Sequence, residues 1–297
     1  MKKLFFACLL VAMTALLKAQ TFVEGPIHTP TNWTLVGSPY VVTDDISIFK
    51  DGSLTIDAGV LVKVDDGVQI EVIGSTLQSN GTAADKVIFM SNNLSPERDS
   101  WQGILLTDSA KVNLQFTNFS NAENCITDKS LCNESNVNSV IGNYCNFINN
   151  AQGYVGDASG ICASFIFTNC IFEDNLWACY SPYDHPDTKN LIDNCNFINN
   201  QSAAYIQNGN VYNSTFCGSA FEGLYYADTV INCNFSNNAN VAFRAAKKLV
   251  QNCIFENNET AIVASNFPQY IDNYIYHNDV GLEIGGVSWT DTTLFFS

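Results

Sequence analysis

The chain has few basic residues: 13 Lys and Arg stand against 29 Asp and Glu, giving a formal net charge of -16. Nucleic acids and anionic membranes attract proteins through basic patches, so this composition argues against both as partners. Cations, neutral glycans and basic proteins remain. Histidine is also scarce, with 3 residues, and none stands in a metal-ligand spacing.

Long apolar runs are absent after residue 19. Residues 1–19 combine two early lysines, an apolar run from Leu4 to Leu17 and a small residue at Ala19. This is the pattern of a secretory signal peptide, and the run is shorter than the roughly 20 residues that a membrane span needs. We therefore predict a signal peptide, a secreted or cell-surface location and no membrane insertion. Cleavage removes three lysines and no acid, so the mature net charge becomes 10 - 29 = -19.

A short phrase, approximately Asn-Cys-x-Phe, recurs through the second half of the chain. Its aromatic position falls at residues 147, 172, 197, 216, 235, 255 and 276, so the spacing is 19 to 25 residues. Such a period indicates a solenoid, in which each repeat is one coil and stacking buries the apolar side chains. The copies begin at Tyr144, Asn169, Asn194, Asn213, Asn232, Asn252 and Asn273.

The repeat has the pattern of β-strands. Cys and Phe stand two residues apart, which places both on one face of a strand. Two further apolar sets recur at constant phase, one including Ile192 and Val211 before the aromatic and one including Ala203 and Tyr205 after it. We predict three short strands per coil in an all-β, right-handed parallel β-helix. Asn at the bends tolerates left-handed backbone, and its amides can form hydrogen bonds along the axis.

The domain organisation follows from where the pattern begins and ends. Short alternating strands with Gly and Asp turns precede the Cys-containing coils, so we predict a leader or cap over residues 20–39 and one β-helix over 40–297. The helix is predicted to end in mid-coil, with Leu294–Phe296 where the next Cys-x-Phe would fall. An open end presents unpaired backbone groups, which predicts either a longer protein or end-to-end self-association.

Cysteine is plentiful, with 11 residues in the chain. Neighbouring coils place Cβ atoms farther apart than the roughly 3.8 Å that a disulfide prefers, so cysteines stacked in one phase are predicted to be free buried thiols. The predicted ladder consists of Cys145, Cys170, Cys195, Cys233 and Cys253. Outside it stand Cys125, Cys132, Cys162, Cys179 and Cys217, among which we predict a Cys125–Cys132 disulfide.

The Asn-Cys-x-Phe coils resemble the right-handed β-helix repeats of pectin-lyase-like proteins. The stretch 53–60, Ser-Leu-Thr-Ile-Asp-Ala-Gly-Val, resembles the opening coils of exported bacterial surface proteins of that type. The resemblance covers roughly residues 40–297 and implies the fold. It is less specific for activity, because the superfamily includes lyases, hydrolases, epimerases and members without known catalysis. The polygalacturonase-like signatures Asn-Thr-Asp, Gly-His-Gly and Arg-Ile-Lys are absent from the sequence.

Charged residues recur nine, twelve and thirteen residues after the coil aromatic, and equal phase predicts that they line one groove. The resemblance implies that a lyase of this fold would use a Lys or Arg base and a group that neutralises the uronate. Alternatively, Asp228 and Lys247 form an exposed ion pair worth at most about 1 kcal/mol. The catalytic candidates are Lys247, Lys248, Arg244, Asp228, His185 and Asp184.

Aromatic residues offer a second interpretation of the same groove, as a surface on which sugars stack. The candidates for glycan binding are Trp177, Tyr180, Tyr183 and Tyr225. Asp65 and Asp66 are candidates for a calcium site, because hard cations bind clustered carboxylates; no other cofactor is predicted.

Taken together, the sequence predicts an exported, non-catalytic scaffold that binds a polysaccharide or cell-surface glycan. The alternative is a polysaccharide-active, uronate-lyase-like enzyme that uses a groove along the helix.

Overall fold

The computed structural model describes residues 20–129, 137–156, 163–182, 190–244, 246–264, 268–284, 287–289 and 294–296. Over these ranges the chain forms short β-strands and a single 3-10 turn at Leu35–Gly37. The strands up to residue 129 are β1 (Thr21–Ile27), β2 (Pro30–Trp33), β3 (Tyr40–Ile48), β4 (Ser53–Ile56), β5 (Leu61–Val64), β6 (Gln69–Ile73), β7 (Thr76–Asn80), β8 (Val87–Ser91), β9 (Trp101–Thr107), β10 (Lys111–Gln115), β11 (Thr117–Ser120) and β12 (Ala122–Asp128).

The later strands repeat the same three-strand coil. They are β13 (Asn138–Asn143), β14 (Asn146–Ile148), β15 (Gln152–Gly156), β16 (Ala163–Thr168), β17 (Ile171–Glu173), β18 (Trp177–Ser181), β19 (Asn190–Asp193), β20 (Asn196–Ile198), β21 (Ser202–Ile206), β22 (Gly209–Tyr212), β23 (Thr215–Cys217), β24 (Glu222–Tyr225), β25 (Thr229–Ile231), β26 (Asn234–Ser236), β27 (Val241–Arg244), β28 (Leu249–Gln251), β29 (Ile254–Glu256), β30 (Thr260–Ala264), β31 (Gln269–Ile271), β32 (Asn273–Tyr276), β33 (Val280–Ile284), β34 (Val287–Trp289) and β35 (Leu294–Phe296).

The strands form three parallel stacks that run along the molecule. Stack 1 is an eleven-stranded sheet that begins with β2 and β4. From β4 to β31 each strand pairs with the strand three places later in the chain. Stack 2 runs from β5 and β8 to β32 and contains the Cys-x-Phe strands, whereas stack 3 runs from β6 and β9 to β33. At about 4.8 Å per coil, ten steps make a rod about 48 Å long. The predicted fold class, a right-handed parallel β-helix with three short strands per coil, is confirmed.

The core is built from ladders of identical side chains. In stack 2, Phe147, Phe172 and Phe197 stand in register on successive coils, and their ring centroids are 4.6 and 4.7 Å apart. The predicted cysteine ladder lies beside them: its members are buried, free thiols. The Cys170 thiol, for example, donates to the carbonyl oxygen of Thr168 at 3.3 Å.

Asparagine makes the bends, as the sequence predicts. Asn169 and Asn194, which precede the Cys-x-Phe strands, have φ values of 56° and 52°, in the left-handed region that Asn tolerates. A second set of asparagines is buried at the next bend. Here Asn175 Nδ2 donates to Asn200 Oδ1 on the following coil at 3.0 Å. The polar backbone at the corners is therefore satisfied by amide ladders inside the rod.

The phase of the last repeat differs from the prediction by one residue. Phe255 pairs with Ile275, which is fully buried, and Tyr276 stands beside Glu256 instead of in the aromatic ladder. Asn273 occupies the position of the ladder cysteine, and its Oδ1 accepts a hydrogen bond from the backbone N–H of Cys253 at 2.9 Å.

Strand pairing is present near both predicted ends of the helix. Strands β1 and β2 already pair in parallel with β3 and β4, so the β-helix begins well before residue 40. At the other end β35 pairs antiparallel with β32, and β34 pairs antiparallel with β33. The prediction of unpaired backbone is therefore wrong for these two strands, because the chain folds back onto them. End-to-end self-association stays a prediction.

Cys125 does not form the predicted disulfide with Cys132. It is a free thiol whose side chain is fully buried in the core, where burial raises the pKa of the thiol well above its ordinary value. Cys132 and Cys162 lie outside the described residues, and so does the predicted signal peptide, residues 1–19. Within the described ranges, no helix has the length and hydropathy that a membrane crossing requires.

Candidate functional site

The strands of stack 3 depart from simple alternation. In β18 two consecutive residues, Ala178 and Cys179, point into the core, and the flanking Trp177 and Tyr180 are only partly buried. Strands β15 and β24 also bury two residues in succession, and β21 buries three, Ser202 to Ala204. Two rows of outward side chains therefore run along this stack, and together they form what we call the outer face. From β6 to β27 it extends over seven coil steps, or about 34 Å.

One half of the outer face is a row of tyrosines. Tyr180, Tyr205 and Tyr225 stand in register on successive coils. The ring centroids of Tyr180 and Tyr205 are 5.3 Å apart, and those of Tyr205 and Tyr225 are 4.7 Å apart with the rings at 80°. Trp177 extends the cluster, 5.5 Å from Tyr180. The rings form a continuous apolar strip with polar hydroxyls at its edge, and the hydroxyl of Tyr205 accepts a hydrogen bond from Nε2 of Gln207 at 3.4 Å.

The tyrosine row ends at Arg244 on the next coil. Its guanidinium carbon lies 5.7 Å from the ring centroid of Tyr225, and its Nε is 3.9 Å from Oε1 of Glu222. The ring of Tyr226 lies 4.2 Å from that of Tyr225. Tyr226 has φ of 64°, an uncommon conformation for a bulky residue. Bulky residues in this region are often associated with functional sites.

Tyr225 is held in its neutral form. Burial, a hydrogen bond with Tyr226 and electrostatic repulsion from Tyr226 and Tyr205 raise the pKa of Tyr225 to about 12, against a smaller opposing effect of the Arg244 charge. Its hydroxyl therefore acts at neutral pH as a hydrogen-bond donor and acceptor and cannot serve as a ready base.

The other half of the outer face is a polar groove with a volume of about 420 Å³. Gln69, Gln102, Asn124 and Gln152 line it, and the groove meets the aromatic half where Gln152 stands in register with Trp177 and Val155 with Tyr180. The four side-chain amides make no hydrogen bond to any described residue, unlike the paired amides of the buried ladders. They point donors and acceptors toward solvent. The remaining lining residues are Leu105, Glu123, Thr127, Lys129 and Val155.

The catalytic candidates that the structure describes have separate partners. Lys248 Nζ lies 2.6 Å from Asp228 Oδ2, so the cross-coil ion pair exists with Lys248 in place of the predicted Lys247. Lys247 Nζ instead donates to Asn208 Oδ1 at 3.3 Å. Of the charged candidates, the structure places Arg244 in direct contact with the tyrosine row. Tyr183, Asp184 and His185 lie outside the described residues.

The two calcium candidates are already engaged by amides. Asp65 Oδ1 accepts a hydrogen bond from Asn92 Nδ2 at 2.8 Å, and Asp66 Oδ2 accepts one from Asn93 Nδ2 at 2.7 Å. An amide N–H aimed at a carboxylate opposes a cation at the same oxygen, so calcium would have to displace these two hydrogen bonds, and the calcium site stays a prediction. The described residues contain no group of three or more acidic, His or Cys side chains that could hold a metal.

Several residues of the outer face were missed by the sequence prediction. Tyr205 was assigned to an inward set, although Ala204 takes that place. Tyr226 and the four amides were not predicted. The amides belong to coils before or at the edge of the Cys-x-Phe repeat, where phase could not be counted from the aromatic.

Residues 26–141 match the family model of the pectate-lyase-like β-helix domain. Among solved structures, the chain is similar to the periplasmic alginate epimerase AlgG, with a TM-score of 0.51 at 8% identity over 86% of this chain and 71% of that chain. The A-module of the mannuronan C-5 epimerase AlgE6 of Azotobacter vinelandii gives a TM-score of 0.29 at 11% identity, over 92% of this chain and 83% of that chain. No curated protein sequence matches the chain. The family-model match and the likeness to AlgG show the β-helix fold that the resemblance implies, and they leave the chemistry to the residues of the outer face.

Proposed function

We propose that the protein is an exported scaffold that binds a polysaccharide lengthwise along the outer face of stack 3. The observation that carries the proposal is the continuity of the aromatic and amide halves over about 34 Å. Polysaccharides present alternating apolar ring faces and hydroxyls. A strip of tyrosines beside unpaired amides complements both kinds of surface.

The regular spacing of the coils supports an extended ligand. Tyr180, Tyr205 and Tyr225 offer equivalent positions one coil apart, so a polymer can engage several of them at once. Linked contacts of this kind raise affinity without requiring any one strong contact. The side chains stand on paired strands, which limits the conformational entropy lost on binding.

Binding can be tested by affinity electrophoresis of the mature protein in gels that contain a panel of soluble polysaccharides. We expect at least one polymer to retard the protein. Tyr205→Ala and Tyr225→Ala should each weaken retardation by about tenfold, equivalent to about 1.4 kcal/mol, because each removes one ring of the strip. Tyr212→Ala is the matched control, because Tyr212 lies on β22 in stack 1. Failure of every polymer to retard the protein contradicts the proposal.

The second candidate is a uronate-lyase-like enzyme acting at the same face. The contact of Arg244 with Tyr225 favours it, because a cation beside a hydroxyl could stabilise a developing uronate anion. The neutral state of Tyr225 and the engagement of Lys248 by Asp228 favour binding alone. A depolymerisation assay on uronate polymers, with and without calcium, separates the two. Activity lost in Arg244→Gln, Lys247→Ala or Lys248→Ala variants would support the enzyme.

A further inference from the structure

Resting on the proposed function, we infer that the outer face selects a neutral polysaccharide and disfavours uronate polymers. The inference concerns the ligand class, and it comes from the charges of the face. Among the described residues, three carboxylates stand on or beside it, at Glu71, Glu123 and Glu222, against two basic side chains, Lys129 and Arg244. A polymer with a carboxylate on each sugar would meet a surface with more acidic than basic groups.

The basic side chain that touches the tyrosine row already contacts a carboxylate. Arg244 lies over the ring of Tyr225, with its Nε 3.9 Å from Oε1 of Glu222. A uronate that used Arg244 would have to approach Glu222 as well. The like-charge contact would offset much of the attraction, and juxtaposed like charges are a common means of rejecting wrong partners.

Long-range electrostatics act in the same direction. The chain has a formal net charge of -16, so a polyanion is repelled during approach. At physiological ionic strength the screening length is about 8 Å, so Glu222 and Arg244 on neighbouring coils act together. The carboxylates of Glu71, Glu123 and Glu222 lie two and four coil steps apart and act separately.

The uncharged residues of the face suit uncharged sugars. The amides of Gln69, Gln102, Asn124 and Gln152 can each donate and accept, as hydroxyl-rich ligands require. A carboxylate accepts hydrogen bonds only, so at its own position on the sugar it offers no donor to an amide oxygen, whereas a hydroxymethyl group does. The same set of contacts is therefore better matched by a hydroxymethyl group than by a carboxylate on the sugar ring.

The test uses polymers that differ only in charge. Polygalacturonate and polymannuronate are each compared with their carboxyl-reduced forms, alongside a panel of natural neutral polysaccharides, by affinity electrophoresis. We expect a neutral or reduced polymer to bind at least about tenfold more tightly than any uronate polymer at low salt, with the difference shrinking as salt is raised. Equal or tighter binding of a uronate polymer overturns this inference and leaves the proposed function standing. Retardation by none of the polymers overturns both.

A charge variant gives an independent readout. Glu222→Gln removes one carboxylate from the face and should improve the binding of a uronate polymer several-fold, while changing that of the best neutral polymer by less than about twofold. Glu173→Gln makes the same substitution on β17 in stack 2 and should change neither. If both variants shift uronate binding equally, the selectivity belongs to net charge and the local assignment is wrong.

Discussion

The backbone N–H of Ser219 donates to Oδ1 of Asn238 at 3.0 Å, but Ser219 itself passes no such bond to the preceding coil. Elsewhere in this ladder an asparagine does both, as Asn175 does between Asn150 and Asn200. The Ser219 hydroxyl is buried and has no hydrogen-bond partner among the described residues. Ser219 thus interrupts the amide ladder, because its side chain is too short to reach the backbone N–H of Asn200.

Filling this gap should stabilise the protein. Ser219→Asn supplies an Oδ1 for the backbone N–H of Asn200 and an Nδ2 for the ladder, so we expect the free energy of unfolding to rise by about 1 kcal/mol. Ser219→Ala is the control and should be close to neutral, because the hydroxyl makes no bond. Denaturant unfolding measures both. A loss of stability in Ser219→Asn would show that the bend cannot accept the larger side chain.

The inward and outward phases of stack 2 can be separated by one pair of substitutions. Phe197→Ala removes a fully buried ring stacked between Phe172 and Phe216, and the cavity should cost about 3 to 5 kcal/mol. Asn196→Ala changes an exposed neighbour on the same strand and should cost less than about 0.5 kcal/mol. Thermal unfolding compares them, and similar losses in both would contradict the assigned phase.

The fold was predictable because one spacing repeats often enough to fix a phase. Where the phrase weakens, the phase slips: in the last coil Asn273 replaces Cys and Ile275 stands between two tyrosines, so the sequence offers two aromatic residues and the structure uses neither. Packing on Phe255 decides the register there. The antiparallel pairing of β34 and β35 also depends on tertiary contacts, because the sequence there was interpreted as a continuation of the repeat.

The candidate site was predictable only in part. Tyr180 and Tyr225 follow from equal phase, but Tyr205 was lost because strict alternation was assumed where Ala203 and Ala204 both point inward. Two small residues in succession allow this, because neither needs the space of a full side-chain layer. The amide groove lies on coils with different strand lengths, so its alignment with the tyrosine row depends on pairing that only the structure supplies.

Thiol reactivity should follow burial. Burial raises the pKa of Cys170 and Cys179 well above the ordinary value, so both should resist alkylation at neutral pH in the native protein. Among the described cysteines, Cys217 on β23 is the partly exposed one and should react before the others. Labelling followed by peptide mass spectrometry, before and after denaturation, checks the order. Rapid native labelling of Cys170 would contradict the closed ladder.

Alkaline pH should destabilise the tyrosine row. The pKa of Tyr225 is about 12 in the folded protein, against about 10 for a free tyrosine. Between these values the folded state retains a proton that the unfolded state loses, so the contribution of Tyr225 to stability is complete below about pH 10 and is lost as pH rises toward 12. Ultraviolet titration of phenolate formation in wild type and in Tyr225→Phe gives the pKa of Tyr225 by difference. A Tyr225 signal that titrates near pH 10 would contradict the partly buried, hydrogen-bonded hydroxyl.

The antiparallel strands β34 and β35 should prevent other chains from pairing with the last strands of stacks 2 and 3. β35 pairs with β32 and β34 pairs with β33, so removal of residues 285–297 leaves two strand edges without their hydrogen-bond partners. Exposed edges recruit other chains, and the coils beneath keep their own pairings. We expect the truncated chain to associate more than the full chain at equal concentration, as measured by light scattering. A control truncation variant with Glu283→Lys, which places a charge of opposite sign at the new edge, should alter this association. If the truncated and full chains scatter alike over a wide concentration range, pairing by β34 and β35 does not protect this end.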